Sequence, residues 1–395
     1  MALQEKNKIY IDKEALSALS LVQEGLLYPV ITLMNQKEME EVNKTGLYKN
    51  QSFPCPFLLS PSGKRNHEVL SRIKKGETLE IISEKKIVGE ITAEEIYKID
   101  KLQRLEKIMG GGDLSTQEAD MTLQRLGEYA ISGKYNVIFE DIKIAKKTLE
   151  QKINLLSAKK ITGVMMSAKP FHRAHERMLR EELDDCDLLV IFLLKPYKKD
   201  LMDYRLRKKC MQYIANNFLI KDKICIIPLD DTYLFAGQNK MILHAIVAKN
   251  YGCTKLIVGQ NTPNLSIYYT GNVRHSVFDR LEGVNIETEI INEYVYCSLC
   301  KTIVSKSTCP HGHHYHTNYN AESILELLGL GILPPSILVR EEISAMILSC
   351  FYPNRFSNLK KLYYDLVPSD GILNNKNEEE FYIQLMQLYQ NSFQR

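Results

Sequence analysis

The pattern of hydrophobic and polar positions changes near residue 156. From there, short apolar runs alternate with segments in which apolar residues recur at helical spacing. The apolar runs are ITGVMMS, DLLVIFLL, KICIIPL and KLIVGQN, and the helical segments are HRAHERMLREEL, YRLRKKCMQYIANNF and QNKMILHAIVAKNYG. Strands that alternate with helices predict βαβ units. Because these strands are continuously apolar, we expect a parallel sheet buried on both faces.

The first 155 residues follow a different pattern, with short β-like runs between polar turns. We predict strands in YPVITL and TLEIIS, a turn in LSPSGK, and a helix over AEEIYKIDKLQRLEKIM that GGGD ends. The glycine run 110–112 is predicted to be an ordinary loop, since it lacks the Lys-Ser/Thr of a phosphate-binding loop. After about residue 326 the pattern is helical, with REEISAMILSCF as an amphipathic stretch and a surface helix in the last 25 residues.

Composition and charge narrow the class of protein. A chain of 395 residues predicts two or three domains. The formal charge of +3 comes from interleaved basic and acidic residues, so we expect no nucleic-acid partner. No apolar run is long enough to span a bilayer, and the N-terminus lacks the pattern of a signal peptide. We therefore expect a cytoplasmic protein with no membrane partner.

Two histidines stand where the first apolar run meets a helical segment, in SAKPFHRAHE (167–176). His172 and His175 are spaced i, i+3 and would project to the same side of the first helical turn, while Pro170 fixes the turn before it. A helix N-terminus after a sheet strand attracts phosphate, and imidazoles there can stabilise a leaving pyrophosphate. The alternative is a pair of ordinary polar surface residues.

A cysteine and histidine cluster forms the second constellation, in YCSLCKTIVSKSTCPHGHHYH. Cys297, Cys300 and Cys309, with His313, make a Cys3His set that suits a closed, structural zinc site. His311, His314 and His316 stay open as the fourth ligand. A redox-active CxxC is the rival, but it would need no third cysteine. The other six cysteines are scattered singly among apolar residues, as buried thiols are.

These segments, taken in order, resemble the ATP sulfurylase (sulfate adenylyltransferase) family. PFHRAHE resembles its Pro-x-His-Arg-Ala-His-Glu, and HAIVAKNYGCTKLIVG (244–259) resembles the run before its second nucleotide motif. KTIVSKSTCPHG, LGILPPSILVREEI and EEIYKIDK resemble further segments, and the cysteine spacing is similar to that of zinc-carrying bacterial members.

The resemblance implies an α/β fold in three parts. We expect a PUA-like α+β domain over 1–155, a Rossmann-like nucleotidyltransferase domain over 156–325, and a small helical region over 326–395. The resemblance also implies that the protein transfers AMP from ATP to sulfate, with Mg²⁺ bound to ATP and a structural Zn²⁺. A homo-oligomer is an open possibility. His172 and His175 are the expected catalytic residues, and the expected nucleotide-binding set adds Pro170, Phe171, Gly259, Gln260 and Asn261.

The departures from the family pattern concern the acceptor anion. In the family's first motif, Gln-x-Arg-Asn-Pro-x-His-x-x-His, this chain has Met166 in place of Gln, Ala168 in place of Arg and Lys169 in place of Asn. In the second motif, Gly-Arg-Asp-His-Ala-Gly, Gln260 takes the place of Arg. Each lost charge-assisted hydrogen bond is worth about 1.5–3 kcal/mol. We therefore predict weak sulfate use, with Lys169 and Arg205 as the remaining candidates for binding the acceptor anion or phosphate.

Three hypotheses stay open at this point. The chain adenylylates sulfate with compensating residues, transfers the nucleotidyl group to another small anionic acceptor, or binds nucleotide without catalysis.

Overall fold

The computed structural model describes residues 7–355, apart from 198–199, 263 and 272, together with 377–380 and 382–383. The described chain forms two compact units. The first comprises Met1–Met165, Asp187–Tyr197 and Cys225–Ile290, and the second Met166–Cys186, Lys198–Ile224 and Ile291–Arg395. No described helix is both long enough and apolar enough to cross a membrane.

The N-terminal part of the first unit is built from small sheets and short helices. One sheet has the order β1-β5-β6-β9, a second has the order β4-β8-β7, and β2 and β3 form a hairpin. The strands and helices are β1 (Lys8–Tyr10), α1 (Lys13–Gln23), α2 (Gln36–Thr45), β2 (Leu47–Tyr48), β3 (Gln51–Ser52), β4 (Leu59–Pro61), α3 (Lys64–Leu70), β5 (Thr78–Ser83), β6 (Lys86–Thr92), β7 (Glu95–Lys98), α4 (Lys101–Met109), α5 (Gln117–Arg125), β8 (Leu126–Ser132), β9 (Tyr135–Val137) and α6 (Glu140–Leu156).

A five-stranded sheet with the order β12-β11-β10-β13-β16 follows. β10 and β13 are parallel neighbours, with Thr162 opposite Lys255 and Val164 opposite Ile257. The elements of this region are β10 (Ile161–Met166), α7 (Arg173–Asp185), β11 (Leu188–Pro196), α8 (Tyr204–Phe218), β12 (Ile224–Asp231), α9 (Asn239–Asn250), β13 (Lys255–Gly259), β14 (Tyr268–Thr270), β15 (Val273–His275) and β16 (Glu287–Ile291). The predicted alternation of strands and helices is confirmed.

The central strands are buried on both faces, as their continuous apolar sequence predicts. Leu188 through Leu193 have no exposed surface in β11. Packing is close enough that a Cβ at Gly163 would meet Cys253 Sγ at 3.0 Å and Phe192 Cε2 at 3.1 Å. The strands therefore fix the position of the loops that leave their carboxyl ends.

Between residues 291 and 355, the second unit holds a small antiparallel sheet and two α-helices. Its sheet has the order β18-β17-β19. The elements are β17 (Tyr294–Cys297), β18 (Thr302–Ser305), β19 (His316–Asn318), α10 (Ala321–Gly329) and α11 (Glu341–Phe351). The surface helix predicted for the last 25 residues falls almost entirely outside the described residues, as does much of the region 326–395.

Several N-terminal predictions are wrong. YPVITL is not a strand but an irregular segment after α1, and LSPSGK contains β4 instead of being only a turn. The first part of AEEIYKIDKLQRLEKIM is β7, and the helix begins only at Lys101, where Asp100 accepts hydrogen bonds from the amides of Leu102 and Gln103. GGGD does end that helix, because Gly110 takes the left-handed conformation.

Candidate functional site

The two predicted histidines form the N-terminal cap of α7. His172 is the N-cap residue, and its Nδ1 accepts a hydrogen bond from the amide of His175 at 3.4 Å. In return, the amide of His172 donates to Nδ1 of His175 at 3.3 Å. The rings stack with their centroids 3.6 Å apart. This reciprocal pair is the same arrangement as a capping box, with imidazoles in place of the usual hydroxyl and carboxylate.

The hydrogen bonds define which ring nitrogen of each histidine carries the proton. Because both Nδ1 atoms accept from backbone amides, each neutral ring carries its proton on Nε2. Burial lowers the pKa of His172 well below its ordinary value and lowers that of His175 to about 4. At neutral pH the pair therefore offers two uncharged Nε2–H donors beside the positive end of a helix.

Glu176, in the same turn, anchors α7 to the segment before α11. Its carboxylate oxygens accept from Arg340 Nε at 2.7 Å and Nη2 at 2.8 Å, and Arg173 and Arg180 also pair with it. Burial acts to raise the pKa of Glu176, but the hydrogen bond and charge of Arg340 outweigh it and hold this pKa below its ordinary value. The guanidinium of Arg340 also lies 3.5 Å from the ring centroid of Phe218. Glu176 is thus a structural carboxylate.

A buried arginine that the sequence interpretation missed holds the loop before the histidines. Arg207 has no exposed surface, and its Nη1 donates to the carbonyl of Ser167 at 2.7 Å while its Nε donates to that of Met202 at 3.2 Å. Arg205, the predicted residue, is exposed. The helical spacing within YRLRKKC was the available signal, since Arg207 lies on the same face as the buried Cys210.

The residues at the family's acceptor positions are buried or already paired. Met166 and Ala168 are 4% and 3% exposed. Ala168 has a φ of 51°, a left-handed conformation that is uncommon for a residue with a Cβ. Lys169 forms an ion pair with Asp200. Lys169, the candidate cation just before the histidines, therefore has a carboxylate partner.

The second predicted nucleotide segment follows the neighbouring strand. Gly259 ends β13, and its carbonyl accepts from the amide of Thr262 at 2.9 Å, so a turn follows through Gln260 and Asn261. Since β10 and β13 are parallel neighbours, their carboxyl ends lie at the same edge of the sheet. Pro170 and Phe171 lie buried before α7, and the Phe171 ring is 5.5 Å from that of His175.

The cysteine cluster is brought together by the β17–β18 hairpin and the chain after it. Cys297, Cys300 and Cys309 lie with His311, and their four ligand atoms are all within 4.8 Å of one another. The predicted fourth ligand, His313, is not in this group. His311 takes the place because Nδ1, the ring nitrogen nearer the backbone, reaches the thiols from only two residues beyond Cys309.

The distances within this group fit a tetrahedral zinc ion. His311 Nδ1 lies 3.4 Å from Cys297 Sγ, 3.3 Å from Cys300 Sγ and 3.6 Å from Cys309 Sγ, and the last two sulfurs are 4.0 Å apart. In a tetrahedral site with bonds of about 2.3 Å from zinc to sulfur and 2.05 Å to nitrogen, the nitrogen and a sulfur would be about 3.6 Å apart and two sulfurs about 3.8 Å apart. His316 Nε2 contacts only Cys309 Sγ, at 3.3 Å.

Comparison with known proteins agrees with the fold and the motifs. The ATP-sulfurylase profile matches residues 140–350, and a PUA-like domain profile matches residues 2–140. These matches define a nucleotidyltransferase class with a PUA-like N-terminal domain. The chain belongs to the ATP-sulfurylase family.

Named relatives support the same assignment. The sulfate adenylyltransferase of Carboxydothermus hydrogenoformans is 28% identical over 66% of this chain and 71% of the relative. That of Psychrobacter sp. (strain PRwf-1) is 26% identical over 85% and 83%, and that of Staphylothermus marinus is 26% identical over 87% and 91%. A hexameric APS kinase from Thiobacillus denitrificans shares the fold, with a TM-score of 0.65 and 16% identity over 93% of this chain and 71% of that one.

Proposed function

We propose that the chain is a nucleotidyltransferase that binds ATP at the start of α7 and transfers its adenylyl group to an acceptor oxygen. The observation that supports this proposal is the histidine pair, in which both Nδ1 atoms accept from amides. Both Nε2–H groups are then available to donate, as far as the described residues are concerned. By resemblance to the family's second nucleotide motif, we also assign Gly259, Gln260 and Asn261 to nucleotide binding. The family's sulfate adenylyltransferase activity supports this reaction class.

The proposed chemistry is an in-line displacement without a covalent enzyme intermediate. The acceptor oxygen forms a bond to the α-phosphorus, the bond from that phosphorus to the bridging oxygen breaks, and pyrophosphate leaves with the electron pair. His172 and His175 donate Nε2–H groups to the phosphate oxygens and stabilise the charge that develops there. Mg²⁺ bound to ATP would neutralise part of the phosphate charge.

We propose further that sulfate is a poor acceptor here. A sulfate dianion needs cationic groups as it approaches a phosphate that is itself negative. Met166 and Ala168 supply none, and Asp200 partly neutralises Lys169. A different small anionic acceptor is the second candidate, favoured because the phosphate-facing histidines remain. A nucleotide-binding chain without catalysis is the third, favoured by the absence of both motif arginines.

Zinc is the proposed structural metal, with Cys297, Cys300, Cys309 and His311 as its ligands. Four protein ligands leave no open position, so the ion would join the β17–β18 hairpin to the segment after it and take no part in the reaction. We also keep 1–155, 156–325 and 326–395 as the proposed domain limits.

ATP binding by calorimetry tests the nucleotide site. We choose His172→Asn with His175→Gln, because Asn preserves an N-cap acceptor while both Nε2–H groups are lost. ATP affinity should fall at least tenfold with the fold retained, and the exposed His67→Ala should bind as the parent does. Unchanged affinity in the double variant would place the nucleotide elsewhere.

A further inference from the structure

A cleft of about 420 Å³ lies between α2 and α4 in the N-terminal part of the first unit. Its lining residues lie between positions 36 and 107, well before the proposed nucleotide motifs along the chain. Met39, Leu58 and Ile99 contribute an apolar surface to it. Its size falls within the range of ligand pockets in proteins. The cleft therefore combines room for a small molecule with a surface that can pack against a carbon skeleton.

Cationic side chains dominate the charged part of the wall. The lining has four of them and two carboxylates, a net charge of +2; the six are Lys44, Lys98, Arg104, Lys107, Glu40 and Asp100. Glu40 accepts from the amide of the Gln36 side chain at 2.9 Å, and Asp100 caps α4. Within the described residues no ion pair joins any of the six. The positive charge of the wall is therefore not neutralised by the wall itself.

The positive charge of the wall is energetically unfavourable at Arg104, which is buried. Arg104 is only 5% exposed, and its Nη1 donates to the carbonyl of Pro56. Its Nε and Nη2 find no acceptor among the residues that the structure describes. A buried charge without a counter-ion is unfavourable, so an anion in the adjoining cleft would stabilise it.

We propose that this cleft binds a small organic anion through a phosphate or carboxylate group. The lysines on the rim attract the anionic group, Arg104 adds positive charge behind it, and the apolar surface packs against the rest of the ligand. None of its lining residues belongs to the proposed nucleotide motifs, so the two proposals can be tested separately.

Two probes identify the group that binds. Phenyl phosphate and citrate are titrated at constant ionic strength, and hydrogen exchange is followed by mass spectrometry. Binding should slow exchange in α2 (Gln36–Thr45) and α4 (Lys101–Met109), with a dissociation constant of 1 mM or below for at least one probe. Preference for phenyl phosphate would assign a phosphate ligand, and preference for citrate a carboxylate.

Charge-reversal variants test whether the anion binds in this cleft. Lys44→Glu with Lys98→Glu changes two exposed side chains of the rim and should weaken binding at least tenfold. Lys86→Glu with Lys147→Glu makes the same change in net charge elsewhere and should stay within twofold. The proposal is overturned if neither probe protects α2 and α4 at 10 mM, or if the two variants weaken binding equally.

Discussion

The cysteine cluster and the histidine loop differ in how directly their sequence indicates their chemistry. The cluster brings three thiols and one imidazole from a stretch of fifteen residues within 4.8 Å of one another. The histidine loop, residues 167–175, retains the family's two imidazoles. The positive charge of Lys169 beside them is paired with Asp200, which is distant in sequence. Closely spaced candidate ligands can thus be recognised in the sequence, whereas side chains that meet through tertiary pairing cannot.

The largest expected effect is the loss of the metal. Cys297→Ser with Cys300→Ser removes two of four ligands, and we expect near-stoichiometric zinc in the parent to fall to background. The melting temperature should fall as well, because metal binding and folding are coupled in such sites. Metal analysis of protein purified without chelator measures the first effect and calorimetry the second.

Two single variants sharpen the ligand assignment within the cluster. His311→Ala should lower zinc affinity at least 100-fold, since among the residues that the structure describes it is the one histidine grouped with all three thiols. His313→Ala is the matched control and should keep zinc. Loss of zinc in His313→Ala but not in His311→Ala would identify His313 as the ligand, as the sequence predicts, and would contradict the arrangement of this loop.

Acid should destabilise the histidine cap. The folded pKa of His175 is about 4, below its ordinary value of 6.5, and burial lowers that of His172 too. The unfolded chain then binds more protons between these values, so stability is full above pH 6.5 and falls as the pH drops towards 4. Melting temperatures from pH 7 to 5 should show this fall, and it should be smaller in His172→Asn with His175→Gln. Part of it should persist, because the pKa of buried His244 is also lowered.

The smallest effect concerns the ion pair beside the histidines. Asp200→Asn would free Lys169 from its carboxylate partner, and we expect the apparent affinity for an acceptor anion to rise a few-fold. Lys169→Met in the same background should remove that gain. Inhibition by sulfate of ATP binding or turnover provides the measurement. If Asp200→Asn has no effect, the charge of Lys169 does not face the acceptor.

Regular elements with strong periodicity were predicted well. The strands β10 to β13 and the helices α7 to α9 follow from apolar runs and helical spacing, because burial decides their structure. The N-terminal region was predicted less well, since Glu95–Lys98 pairs as a strand with β8 although its residues also fit a helix. Helical spacing could have placed Arg207 on the buried face of α8, but its hydrogen bond to the carbonyl of Ser167 has no local signal. The ion pair of Asp200 with Lys169 likewise depends on side-chain positions that no local pattern specifies.

The departures at the acceptor positions also involve the backbone. Ala168 is buried with a left-handed φ, so any residue with a Cβ carries about 1 kcal/mol of backbone strain there, and an arginine would in addition need room for its long side chain. Gly at 168 should instead stabilise the loop slightly. Restoring the family's arginine therefore requires the loop to shift and make room for its side chain.

Pyrophosphate release from ATP, measured with and without sulfate, tests the central claim most directly. We predict that sulfate-dependent release by the parent is absent, or at least ~100-fold below that of an ordinary sulfate adenylyltransferase, since two lost charge-assisted contacts account for a factor of that order. Met166→Gln, Ala168→Arg and Gln260→Arg together should raise it if the loop can adjust. A parent chain that turns over sulfate several times per second would contradict the account and show that other residues bind the anion.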